Sequence, residues 1–488
     1  MLPRPKLEGK NLKDFDGKLF NQEVNISGVS INAQAIKPGD LFIALSGAKT
    51  HGLNFVSEAI KNGAAAVLSD KPADISVPLF VSEDARVLVG KISAWYYENP
   101  FSKLIAVGVT GTNGKTTTVN LVKQMWQLAG KTTGIIGTIG TEIDGISFPG
   151  IRTTPEACDL QAIAALMVEK NVTHLAMEVS SHALVQERLS GAFFKIAAFS
   201  NLTQDHLDFH GSMENYFLAK ARLFNDDLSQ FAVINIDDKY GIKLFEKNQN
   251  KAVSVSRLSK SGNWHFEKID GKKNGFDVVI ANKNQDQISA FFPLLGEHNL
   301  DNLILAVAIA SESGLTVSEI SAAIPKLQSV AGRLEQLNLG QSFNALVDYA
   351  HTPDAVERVL IAAKGFTTGR VIAILGCGGD RDKGKRPLMG KALIDNSDIA
   401  IFTSDNPRSE SPDQIISEMV GNLEITSPNS IISDRRAAID YAVSIAKSGD
   451  SILLLGKGHE LGQEINGVVT PFNDVTELSD AISKVVNK

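Results

Sequence analysis

The feature that most limits what this chain can become is an apolar run, Leu104–Val109, that passes straight into a glycine-rich loop and then into a helical pattern beginning near Thr116. The loop reads Gly108-Val109-Thr110-Gly111-Thr112-Asn113-Gly114-Lys115-Thr116-Thr117. Glycines let the backbone curl until its N–H groups converge on phosphate oxygens. The helix N-terminus adds partial positive charge and Lys115 a full one. The Thr116 hydroxyl is placed to meet Mg²⁺. Val109 stands where the usual pattern has its first glycine, yet the order strand, Gly-Lys-Thr-Thr, helix fits a nucleotide-phosphate loop. A loop of this kind identifies binding and leaves open what is done with the phosphate.

Strand-like runs at Thr173–Val179, Ile196–Ser200 and Phe231–Asn235 alternate with helical patterns at Asp159–Glu169 and Met213–Phe224, which predicts a mainly parallel sheet. Lys251–Pro293 breaks into short alternating segments and is expected to extend that sheet in antiparallel fashion. Near Ala331 a third block begins, with strands at Ala345–Val347, Arg370–Leu375, Ile399–Phe402 and Ser451–Leu455. Each ends in a polar loop: Asp348–His351, Gly376–Arg381, Ser404–Arg408 and Gly456–Glu460. Ligands of open parallel sheets bind beyond the carboxyl ends of the strands, so a cleft is expected there. Before residue 98, short apolar stretches, a helix-like Val56–Asn62 and the turn Lys37-Pro38-Gly39-Asp40 read as a small α/β unit, with Tyr96–Pro100 as the joint. The 488 residues therefore suggest three α/β domains: 1–98, a central P-loop sheet at 99–330, and a Rossmann-like 331–488.

Composition narrows the class. The chain carries 48 Lys and Arg against 55 Asp and Glu, a net −7 that disfavours a nucleic-acid binder. Two cysteines far apart, Cys158 and Cys377, indicate no disulfide framework and fit a reducing compartment. Met1–Lys6 lacks the apolar core of a signal peptide, and the apolar run Leu303–Ala310 is far short of the roughly 20 residues that cross a bilayer. A cytoplasmic chain with no membrane insertion is expected.

The form Gly111-Thr112-Asn113-Gly114-Lys115-Thr116-Thr117 resembles the Mur ligase family, which includes the folylpolyglutamate synthetases. Thr153-Thr154-Pro155, Met177–His182, Asn201–Asp208, Gly296–Asn302, Gly332–Glu335 and Asp348–Pro353 follow in that family's order and spacing, so the resemblance spans essentially the whole chain. Asp405-Asn406-Pro407-Arg408 is similar to the branch that uses meso-2,6-diaminopimelate. The resemblance implies an ATP-dependent, amide-forming ligase of peptidoglycan synthesis, monomeric. It would join diaminopimelate to the D-glutamyl carboxylate of UDP-N-acetylmuramoyl-L-alanyl-D-glutamate through an acyl phosphate. The same reaction with L-lysine or another diamine is the near alternative; a nucleotide-binding module that makes no bond is the alternative from another class.

Such chemistry brings two anions together, and Mg²⁺ with Lys115 would offset the repulsion. Thr116 and Glu178 supply oxygen ligands at strand ends; the resemblance adds His206 and a carbamylated Lys220. Taken alone, Lys220 reads as an exposed helix lysine, and only a neutral amine can take up CO₂, so burial near a metal is required. Further ATP contacts implied are Asn302, Arg333 and Asp348, the last facing Lys115 once the domains close. Nucleotide-sugar contacts implied are Thr153, Thr154, Ser180, Gln186 and Arg188. For the amino acid, Arg381 and Arg408 are carboxylate forks, set with Asp405, Asn406, Pro407 and Gly456, while Glu460 meets the distal ammonium. Two departures stand out. Asn32-Ala33-Gln34 replaces the family's Asp-Ser-Arg, losing a hydroxyl and two charges, and Arg152 replaces an asparagine often seen before Thr153.

Overall fold

Residues 4–486, except 6, 48, 49, 151 and 273, are described by the computed structural model; residues 1–3 and 6 of the leader reading lie outside them. Four short strands, Gly28–Ser30, Asp40–Ala44, Ala66–Ser69 and Leu79–Val81, pair in chain order and all in parallel. Their middle members are buried on both faces, as parallel strands covered by helices must be. Helix Ala85–Tyr96 follows and packs its Val89, Ile92 and Tyr96 into that core.

The central sheet has eleven strands. Strand Ile105–Thr110 lies between His174–Glu178 and Phe194–Phe199, with Thr133–Gly137 beyond the former and Ser229–Asn235 beyond the latter, all parallel. Helix Lys115–Leu128 packs on helix Glu297–Glu312, whose stretch Leu303–Ala310 is wholly apolar, on one face, where Trp126 donates to Ser313 Oγ at 2.8 Å. Leu160, Ile163 and Met167 of helix Ala157–Glu169 fill the other face. The expected antiparallel extension is present in Trp264–Lys272, Gly275–Asn282 and Gln287–Phe292, joined through Ala252–Ser256, which is itself parallel to its neighbours. The Met213–Phe224 helix is α-helical only to Ala221 and tightens to a 3₁₀ turn at Arg222–Phe224.

A six-stranded sheet follows, ordered Glu335–Leu337, Asn344–Asp348, Ser451–Leu455, Val371–Leu375, Ile399–Phe402, Ser430–Ile431, with only the first strand antiparallel. Registers pair Leu455 with both Asp348 and Leu375, and Leu375 with Phe402, so the four polar loops open at one level. A Cβ on Gly376 would lie 2.7 Å from the Thr403 carbonyl oxygen, which shows how closely two of these loops touch. Beneath them Arg435, wholly buried, donates to Asp474 through Nε (2.8 Å) and Nη2 (2.6 Å) and to the Leu455 carbonyl at 2.9 Å. Among the described residues no helix is long and apolar enough to cross a membrane.

Removing one member of a buried ion pair strands the other. Arg435→Gln is therefore expected to cost about 3–5 kcal/mol in the unfolding transition of this sheet, measured by urea denaturation.

Candidate functional site

The register of the central sheet sets Glu178 beside Val109 and Phe199 beside Thr110, so three neighbouring strands end where the loop begins. Gly111 has φ 151°, and a Cβ there would fall 1.9 Å from Ser200 Oγ; no other residue fits. The segment after Phe194–Phe199 pins the loop in place. Thr112 N donates to the Asn201 carbonyl (2.9 Å), Asn113 N to Asn201 Oδ1 (3.0 Å), and Thr203 N to Thr112 Oγ1 (3.0 Å). Thr117 is buried in the helix that follows, and Gly114, in the left-handed region, abuts Asn302 Oδ1. Asn302 lies inside helix Glu297–Glu312, with its amide bonded to Asn299 Oδ1 at 3.0 Å.

Glu178 is buried. Its carboxylate accepts from Thr116 Oγ1 (3.0 Å), Thr138 N (2.8 Å) and Thr138 Oγ1 (3.1 Å). Thr138 is a residue that sequence reasoning missed: a lone threonine just beyond a strand end carries no signal until Glu178 is seen against it. Thr138 also meets Thr153 Oγ1 at 3.1 Å, while Thr154 Oγ1 bridges the Glu178 carbonyl and Ser180 N. Ser180 caps the next short helix through Ala183 N, and Arg188 holds both Gln186 Oε1 (2.5 Å) and the Thr154 carbonyl (3.1 Å). The five expected nucleotide-sugar residues thus form one hydrogen-bonded group.

Lys115 and Lys220 direct their ammonium groups at the same oxygen, the Gly111 carbonyl, from 2.9 and 2.7 Å. Lys220 is buried against the Tyr216 ring rather than solvated, which corrects the isolated reading of it as an exposed helix lysine. Burial first, and then the nearby Lys115 charge, depresses the Lys220 amine well below its ordinary range; Lys115 is lowered too, chiefly by burial. His206, at φ 53°, stacks edge-on to His182 with ring centres 4.8 Å apart. Asp205, pushed up by burial but more strongly held down by His206, His351 and Lys385, supplies the balancing negative charge.

The third sheet presses its polar loops onto this centre. Arg333 Nη2 donates to Thr116 Oγ1 at 3.1 Å while its guanidinium lies 4.7 Å over the Tyr349 ring, so it reaches the phosphate end of the loop. Asn113 Nδ2 donates to Asp354 Oδ2 at 2.9 Å. Lys115 turns back onto Gly111 and Thr112, and the Asp348 carboxylate is taken by the backbone N–H groups of Leu334 (2.7 Å) and Ala350 (2.8 Å).

Arg408 sits at φ 53° after Pro407, donates to the Gly379 carbonyl at 2.8 Å and lies near Glu464. Arg381 is exposed and bonded only to the Asp380 carbonyl, yet both arginines border Gly378. Asn406 Nδ2 donates to Glu460 Oε2 at 2.7 Å, and Gly456 leaves room for Asp405. Lys457, fully buried and not anticipated, bonds Asn406 Oδ1 (3.2 Å), Glu460 Oε2 (3.2 Å) and the Gly462 carbonyl (2.8 Å). In the first unit, Asn32 caps Gln34 N, and Asp40 is neutralised by Arg4 at 2.5 Å.

The phosphate loop and the four loaded strand ends lie in regions that match family models. Residues 25–100 match the Mur ligase family catalytic domain, 109–310 the Mur ligase middle domain, and 332–458 the Mur ligase glutamate ligase domain. The chain is 41% identical over 470 residues to the UDP-N-acetylmuramoyl-L-alanyl-D-glutamate--2,6-diaminopimelate ligase of Streptomyces coelicolor, covering 94% of this chain and 93% of that one. The chain belongs to the Mur ligase family. To the Caldanaerobacter subterraneus enzyme of the same description it is 42% identical over 461 residues, covering 93% and 94%. A solved structure of a ligase so described superposes with TM-score 0.69 at 32% identity, covering 99% of this chain and 100% of that one. An ADP complex of Mycobacterium tuberculosis folylpolyglutamate synthase superposes with TM-score 0.63 at 18% identity, covering 77% and 92%, a likeness of fold alone. As a Mur ligase the chain is an ATP-dependent, amide-forming enzyme.

His210 and His351 of this Mur ligase are each held at about 4, with burial the leading cause. The unfolded chain takes up their protons near pH 6.5, before the folded chain does. Stability is therefore expected to fall as pH drops from about 6.5 to about 4 and to level off below, read from thermal melts across that range.

Proposed function

We propose that this enzyme ligates meso-2,6-diaminopimelate to the D-glutamyl carboxylate of UDP-N-acetylmuramoyl-L-alanyl-D-glutamate. The observation that carries the reading is the Thr116 hydroxyl. It is bonded at once to Glu178 of the central sheet and to Arg333 of the third, so that nucleotide chemistry and the loaded C-terminal loops share one centre. The division at 1–98, 99–330 and 331–488 belongs to the same proposal, as do a monomeric state and a cytoplasmic setting.

The loop N–H groups from Gly111 to Thr117, with Lys115, receive the ATP phosphates. The donor carboxylate oxygen bonds to the γ-phosphorus and ADP leaves, giving an acyl phosphate. The acceptor amine then bonds to the acyl carbon, phosphate departs and a proton is released. Arg333 and Lys115 stand where negative charge accumulates. Asn302 supports the loop at Gly114, and Asp348 fixes the turn that carries Arg333. Thr153, Thr154, Ser180, Gln186 and Arg188 bind the nucleotide sugar. Asn406 and Glu460, held by Lys457 and seated with Asp405 and Gly456, take the acceptor ammonium. Arg381 and Arg408, aimed by Pro407, take its distal carboxylate. L-lysine would leave Arg408 without that partner, at a cost of about 2–5 kcal/mol.

The donor set also suits Mg²⁺ and a lysine carbamate. Two ammonium groups on one carbonyl oxygen repel, and the neutral Lys220 amine that burial favours is the form that bonds to CO₂ with loss of a proton. Thr116, Glu178, His206 and carbamylated Lys220 would hold the metal. When bound, Mg²⁺ would offset the repulsion between carboxylate and phosphate.

ADP release with the UDP-muramoyl dipeptide is expected with diaminopimelate and not with L-lysine; the reverse preference would reject the acceptor assignment. Lys220→Ala should lose at least about 10²-fold in kcat and regain part of it with millimolar short carboxylates, while Lys220→Arg should stay inactive. Undiminished turnover in Lys220→Ala would dismiss the carbamate.

A further inference from the structure

Glu156 caps the helix Ala157–Glu169 and is buried, yet three arginines converge on its carboxylate. Arg188 Nε lies 3.0 Å from Oε1, Arg86 Nη2 donates to Oε2 at 2.9 Å, and Arg152 Nη1 donates to Oε1. Arg86 comes from the first unit's helix Ala85–Tyr96 and also donates through Nε to the Gln186 carbonyl at 2.6 Å. The fan therefore closes a seam between two units, and it does so on the residues proposed to bind the nucleotide sugar. Through Arg188 it fixes the Gln186 side chain and the Thr154 carbonyl, and Thr154 in turn bonds the Glu178 carbonyl.

Charge makes this more than a brace. Three guanidiniums face the one Glu156 carboxylate. The cluster keeps an excess of positive charge. Arg152 is its exposed member, with about half of its side chain open (49%), against 11% for Arg188. Arg188 is itself lowered, first by burial and also by Arg152 and Arg86, as expected of a guanidinium crowded by like charges.

We infer that Glu156 is a positioning residue that holds Arg188 and Gln186 for the nucleotide-sugar substrate, and that Arg152 is the exposed cation through which the fan meets an anionic oxygen of that substrate. This rests on the donor assignment proposed above. The anion is a phosphate oxygen of the diphosphate or a carboxylate oxygen of the dipeptide; both suit a guanidinium fork.

The test uses the full chain, beginning with ADP release by the parent enzyme on the UDP-muramoyl dipeptide with diaminopimelate. No release there would reject the functional reading itself, before any variant is made. With the parent active, Glu156→Gln is expected to raise KM for the donor about tenfold or more, with kcat and KM for ATP and diaminopimelate within about twofold, and Glu156→Asp to recover part of the loss. Arg152→Asn is expected to raise donor KM about threefold and to flatten its dependence on salt. A parallel rise in the inhibition constant of UDP alone assigns Arg152 to the diphosphate; an unchanged UDP constant with the raised donor KM assigns it to the carboxylate. Donor KM and salt dependence equal to the parent in both variants would overturn the inference. So would a uniform rise in all three KM values with a lowered melting temperature, which would leave the fan as a brace between units.

Discussion

Bringing a carboxylate to a triphosphate means forcing negative charge toward negative charge, and the molecule is organised around that repulsion. Its answer begins at Glu178, a buried carboxylate held by two threonines at the end of the strand beside the phosphate loop. A buried acid is costly in a folded chain. Here hydrogen bonds satisfy it while its charge remains available. Lys115 and Lys220 crowd a single carbonyl, an arrangement that an incoming anion relieves.

The third sheet completes the centre. Arg333 and Asp354 bring its loops onto the phosphate loop by direct hydrogen bonds, one to Thr116 and one to Asn113. Both partners sit on the loop that nucleotide would order, so contact between the two sheets and occupancy of the loop are linked through the same side chains. The hydrogen-bonded group of Asn406, Lys457 and Glu460 lies at the ends of strands in register with Asp348, which ties its placement to the turn that carries Arg333.

What could be read in advance was whatever lies close in sequence. The strand–loop–helix at Leu104–Thr117 and the four loaded loops are contiguous, and periodicity with glycine placement exposes them. What stayed hidden depends on distant partners. Thr138 looks like any strand-end threonine until Glu178, 40 residues on, is folded against it. Lys220 has the spacing of a solvated helix residue, and only the packing of Tyr216 and Gly111 removes it from water. Arg4 with Asp40, and Glu156 with Arg86, are ion pairs between segments 36 and 70 residues apart that no local pattern joins.

One close approach carries a mechanical consequence. On helix Ala85–Tyr96, a Cβ at Gly90 would fall 1.8 Å from the Ser190 carbonyl oxygen, and one at Gly191 would fall 2.5 Å from the Gly90 carbonyl oxygen. Backbone lies against backbone there. The first unit is thereby docked against the central sheet at the level of Gln186 and Arg188. A nucleotide sugar spanning that seam would meet a surface already assembled, and the entropy of assembling it is surrendered once, during folding, rather than again at every turnover.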